Sequence, residues 1–191
     1  MENSVSFKAG LSKDVAVVLS CPGKVEANST PPQPAMGHTG TNLDDLMGIL
    51  FQKYPDWGLL REQITIANSW DKVEYKEAGR GRSEATFDEV LTPVNLNRLY
   101  RQIRDTTKMI LVCGDNAKVA VLALQYAKTF NNTVKFIYLQ HIGNVGLNKT
   151  IKYDLSGNEL IRTNSDKIKA QNRTKRIEVV AREVMKQLQS S

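Results

Sequence analysis

Four stretches of the chain end in groups able to hold or move a proton. Cys21-Pro22-Gly23, Asn68-Ser69-Trp70-Asp71, Gly114-Asp115-Asn116 and Gln140-His141-Ile142-Gly143-Asn144 each follow an apolar run. His141 is one of two histidines, the other being His38, and imidazole is the side chain suited to proton exchange near neutral pH. Glu26 is the only carboxylate between the first of these ends and Asp44. Asn28, Asn68 and Asn144 add neutral amides, which orient a water or another polar group without ionising. The two histidines and two cysteines, Cys21 and Cys113, are dispersed, so neither a metal nor a cofactor is expected. There is no phosphate-binding P-loop and no nucleophile elbow. What remains is metal-free chemistry by positioned donors, carboxylates and amides.

Such groups need rigid elements to aim them. Residues 15–21, 64–70, 109–115 and 134–141 read as strands, and the first and third are continuously apolar, as strands covered on both faces are. Helical spacing follows each. Leu43, Leu46, Met47 and Leu50 repeat behind Asn42 as a cap; Leu96, Leu99 and Ile103 repeat behind Asn95, with Arg98, Arg101 and Arg104 facing out. Residues 117–128 are apolar nearly all round, and Ile177, Val180, Ala181, Val184 and Leu188 follow Thr174. Alternating strands and helices predict an α/β fold of three layers, a central four-stranded parallel sheet flanked by helices. Ligands of such sheets bind beyond the carboxyl ends of the strands, where the polar groups above lie. Long loops are expected at 22–41 and 71–93, and a hairpin at 149–162 around Ser156-Gly157-Asn158.

The 191 residues fit one domain, with a basic helical segment over about 160–191. Hydrophobic residues make up 41% and charged residues 24%, as in globular proteins, and no run is long enough to cross a membrane. A polar N-terminus and two isolated cysteines predict a monomeric protein of the reducing cytoplasm. The net charge of +6 favours a polyanionic partner, and from Leu160 to Ser191 eight basic residues face three acidic ones. Lys167, Lys169, Arg173 and Lys175 there, with Lys149 and with Arg80 and Arg82 of the GRGR loop, are the expected phosphate contacts.

The strand-end motifs resemble those of the uracil-DNA glycosylase superfamily, in order from about residue 15 to 149. LSCPGKVEANSTPPQPAMGHTGTNL is similar to its first motif, with the Pro22-Gly23 turn, Glu26 and a Gly37-His38-Thr39-Gly40 segment opening a helix. ITIANSW resembles the strand whose asparagine, here Asn68, reads the flipped base. MILVCGDNAKVAVLAL resembles the third strand and its helix. LQHIGNVGLNK resembles the last motif through His141 and Gly146-Leu147-Asn148. The departures are as specific. Ser20 stands where the thermostable branch has its catalytic Glu, Cys21 where other branches have Asp or Asn, and Ala35 where a Phe stacks on uracil. Gly143 replaces the serine of His-Pro-Ser, and the four iron–sulfur cysteines are missing.

The resemblance implies a DNA glycosylase, which flips a base from DNA and hydrolyses its bond to deoxyribose. Its departing base needs a donor, expected from His141. Glu26 is the first choice for orienting water, with Asn28 and Asn144 behind it. Cys21, Pro22, Gly23, Ala35, Met36, His38 and Asn68 would surround the base, and Trp70 would replace the lost aromatic platform. Gly37 and Gly40 would let amides approach a phosphate, while Val145 and Leu147 would wedge into the duplex. With Ala35 and Gly143 trimming two walls, the expected base is a bulky 5-substituted pyrimidine, as in some phage DNA, and the role antiviral defence. Two other readings fit the same residues: a non-catalytic DNA- or nucleotide-binding module, and a hydrolase of free nucleotides.

Overall fold

The computed structural model describes residues 3–77 and 81–190 and is organised around one sheet. Strands β1 (Phe7–Lys8), β2 (Val15–Leu19), β3 (Thr65–Asn68), β4 (Met109–Cys113) and β5 (Lys135–Leu139) lie in the order β1-β3-β2-β4-β5. The four expected strands run parallel. The sheet nevertheless has five strands, because β1 pairs antiparallel with β3 through Phe7↔Ala67 and Lys8↔Ile66. Two residues show no periodicity to read. Pairing with the outer edge of β3 is what makes β1 a strand, extended by the Asn68 amide donating to the Ser6 carbonyl at 2.9 Å.

The helices are α1 (Lys24–Ala27), α2 (Gly37–Lys53), α3 (Phe87–Val90), α4 (Pro93–Ile103), α5 (Asp115–Ala127), α6 (Asn144–Thr150) and α7 (Asp166–Ser190). Strand β2 shows why its sequence is apolar throughout. Val15, Val17 and Leu19 enter a core with Leu43, Leu46 and Leu50 of α2 and Ile177, Val180 and Val184 of α7. Ala16 and Val18 enter the other, with Leu99 and Ile103 of α4 and Val121 and Leu124 of α5. Each large apolar side chain so buried contributes about 1.5–3 kcal/mol. Among the described residues no helix is long and apolar enough to cross a membrane.

Several local expectations change. Helix α2 starts at Gly37, so Asn42 is inside it and fully buried, and the expected 22–41 loop holds α1 and the first turn of α2. Asn95 lies within α4 and donates to the carbonyls of Val90 and Ser69, at 2.7 Å each. Thr174 is interior to α7. Arg98 does not face out. Its guanidinium folds onto the carbonyls of Asn68 and Ser69 at the end of β3, with Asn95 Oδ1 accepting at 2.7 Å. The expected hairpin is reduced to one bridge, Tyr153 to Glu159. Its turn is closed by the Asp154 carboxylate, which accepts from Ser156, Asn158 and Lys175, and those donors hold its pKa well below the usual range.

Candidate functional site at the strand ends

The order β3-β2-β4 fixes where a site can form. The chain leaves β2 for β3 on one side and returns as β4 on the other, so the topological switch point lies between β2 and β4. Ser20 follows β2 there and Gly114 follows β4, with a backbone φ of +95°. A Cβ on Gly114 would lie 3.1 Å from Ser20 Oγ and 3.4 Å from His141 Cδ2. Glycine therefore lets β2, β4 and the loop after β5 close around one point.

His141 is held from one side. Its Nδ1 accepts the Gly143 amide at 2.9 Å, so the neutral ring carries its proton on Nε2, a donor with no partner among the described residues. Gly143 and Gly146 pack against the residue: a Cβ at Gly143 would stand 2.9 Å from the ring, and one at Gly146 2.2 Å from the His141 carbonyl. Asn144 is anchored as well. Its Oδ1 accepts from Asn42 Nδ2 at 3.0 Å, and the same amide donates to Ile142 O at 2.7 Å. Arg173 orients Asn42 from behind, donating to its Oδ1 at 3.1 Å and to Asp45.

Glu26 links α1 to α2. Oε2 accepts from the Gly23 amide at 3.0 Å and Oε1 from the Met36 amide at 2.9 Å. Met36 precedes α2 without a side-chain cap, so the first-turn amides from Gly37 onward lack a side-chain acceptor, and His38 stands exposed beside them. Gly37 carries a φ of +59°. Gly40 has a different task from the expected one: its amide donates to Met36 O, and a Cβ there would lie 2.0 Å from Ala35 O. Pro22 is buried, and its carbonyl accepts from the Glu74 amide at 2.9 Å. That bond brings Tyr75, half-buried with Lys24 Nζ 5.9 Å from its ring, beside α1.

No family model matches the sequence, and no curated protein matches it.

Other expected site residues go elsewhere. Trp70 is 7% exposed in the α4–α5 core, its indole N–H on Glu74, so it offers no stacking platform. Leu147 is 1% exposed and cannot wedge into DNA, whereas Val145 is 83% exposed. The Ala35 methyl is buried in the α2 core and Gly143 is closed against His141 and Thr39, so neither opens a pocket wall. Asn68 is buried and its side chain donates to Ser6 O at 3.4 Å, towards β1. Asn28 is exposed at the end of α1. The Cys21 thiol, 3.6 Å from Ser83 O, is pushed up to about 12 by burial and then by Glu84, so it is no thiolate nucleophile. Arg82 is engaged by Glu74 and Glu89, which raise its pKa further, so it braces its loop instead of waiting for phosphate. Arg80 lies outside the described residues. Lys175 pairs with Asp154, Lys169 with Asp166 and Arg173 with Asp45; Lys167 is exposed.

Ser20 is the residue the sequence did not offer as functional. Its Oγ is buried with no hydrogen-bond partner among the described residues. The signals were a hydroxyl following an apolar strand and its place where the thermostable branch has its catalytic Glu. An unpaired buried hydroxyl costs about 1–3 kcal/mol, so each one in a folded protein calls for a reason. Ser20→Ala is therefore expected to stabilise the fold by up to that amount, read as a higher urea midpoint at unchanged m-value. A lowered midpoint would show that the hydroxyl has a partner in solution.

Proposed function

We propose that the protein binds DNA and hydrolyses the N-glycosidic bond of a nucleotide turned out of the stack, leaving an abasic site. The observation that carries this reading is the fixed tautomer of His141, which leaves Nε2–H as the ring's donor beside Gly114 at the switch point. A departing base gains negative charge as the bond lengthens, and a preorganised donor lowers that barrier without reorganising. Glu26 orients the attacking water. The Gly23 and Met36 amides use two of the roughly four acceptor sites of its carboxylate, and the others remain for water and the cationic sugar. Tyr75 and the amide of Asn144 contact the flipped nucleotide, while Val145 fills the gap it leaves. The first-turn amides of α2 attract its phosphate.

The test is release of free base from oligonucleotides carrying uracil, hydroxymethylated pyrimidines or glycosylated pyrimidines, single- and double-stranded, read as alkali-labile abasic sites. Release from at least one is expected. The bulky-pyrimidine arm rests on the sequence differences at Ala35 and Gly143 alone, because both positions are closed in the fold. Binding without release on every substrate would replace this reading by the non-catalytic module.

A further inference from the structure

Beside the crevice lies a second concavity, a cleft of about 760 Å³ between α6, residues 151–163 and the first half of α7. Its size falls within the ~300–1,000 Å³ of small-molecule sites. Its charge is one-sided. Lys149, Lys152, Arg162, Lys169, Arg173 and Arg176 line it, and no Asp or Glu does. Two of these cations serve the fold: Arg176 is buried on the carbonyls of Ile151 and Leu160, and Arg173 is held by Asp45 and Asn42. The other four are exposed. Lys149 and Arg162 meet no ion-pair partner among the described residues, Lys152 reaches only the Asn148 carbonyl, and Lys169 holds an exposed pair with Asp166 that is worth little.

Between the cations the lining is mixed, with Val145 and Ile161 exposed beside the neutral polar groups of Asn144, Asn148, Thr163 and Asn172. A groove of cations with exposed apolar and neutral polar groups between them suits a ligand that alternates phosphates with bases, held mainly through its phosphates. His38 and Asn144 form the end of the cleft nearest His141, so it continues from the proposed site. A duplex presents a convex surface and cannot enter a concavity of this size.

We propose that this cleft binds the phosphates of one or two unpaired nucleotides flanking the nucleotide in the crevice. This rests on the DNA reading above and makes a single strand, or an unpaired stretch, the preferred substrate. A free nucleotide carries the same phosphate chemistry, so the experiment separates the two sources.

Binding of fluorescein-labelled, unmodified oligodeoxythymidylate is measured by anisotropy across a potassium chloride series. Its outcome is independent of base release, because nothing in the probe is excised. Two variants of equal charge are compared. One carries Lys149→Gln, Lys152→Gln, Arg162→Gln and Lys169→Gln; the other carries Arg101→Gln, Arg104→Gln, Lys118→Gln and Lys128→Gln, in α4 and α5 and at their C-caps. The cleft variant is expected to bind about tenfold more weakly, its salt slope flattening by roughly 0.7 for each phosphate it no longer neutralises, with the control near wild type. Equal losses of affinity in both variants would overturn the proposal. So would displacement of the oligonucleotide by thymidine monophosphate at matching nucleotide concentration, or duplex binding as sensitive to the cleft variant as single-strand binding.

Discussion

His141→Asn is expected to abolish most base release while leaving the fold intact, and His141→Gln to do nearly the reverse. The two amides mimic different nitrogens of the ring. An Asn oxygen reaches about as far as Nδ1, so it still accepts the Gly143 amide, but nothing then occupies the position of Nε2. A Gln amide nitrogen reaches towards the Nε2 position and presents a donor there, while the Gly143 amide loses its acceptor. Removing one preorganised donor to developing charge costs about a hundredfold to a thousandfold in rate, the fall expected for His141→Asn under single turnover. His141→Gln is expected to retain a measurable part of the rate but to lose about 1–3 kcal/mol of stability, the cost of an orphaned buried amide. Equal rates in the two variants would mean that Nε2 does not face the leaving base.

The parts legible in the sequence were those where one physical requirement dominated. Strands β2 and β4 are packed on both faces, so every residue had to be apolar and the run could be read directly. The strand ends followed, and with them His141, Gly114 and Asn144. Illegible parts were decided by partners distant in sequence. Arg98 shares helical spacing with Arg101 and Arg104, yet the free carbonyls ending β3, about thirty residues away, draw it in. Arg82 looked like a phosphate ligand until Glu74 and Glu89 closed on it. Leu147 has the polar neighbours of a surface loop, but α6 turns it towards the core. Gly37 and Gly40 look alike in sequence: one relieves a positive φ, the other the approach of Ala35 O.

Glu26 separates a strut from a catalytic group. Glu26→Gln keeps the shape of the side chain, but one of its two acceptors becomes an NH₂ facing a backbone N–H, at either Gly23 or Met36. Hydrogen bonds to a charged group contribute about 1.5–3 kcal/mol each, so losing one should destabilise the fold by roughly 2–3 kcal/mol, or about 4–12 °C in Tm for a chain of this size. If that were all, base release per folded molecule would be unchanged at a temperature well below both transitions. The amide also cannot stabilise a cationic sugar or take a proton from water. Release per folded molecule is therefore expected to fall a further hundredfold to ten-thousandfold, the range typical of a positioned acid–base group. Thermal melts and single-turnover assays on the same preparations read the two effects separately. A lowered Tm with a rate within a few-fold of wild type would leave Glu26 a strut between α1 and α2, and would pass the water to a group on the β5 side of the crevice, with the Asn144 amide the first to replace.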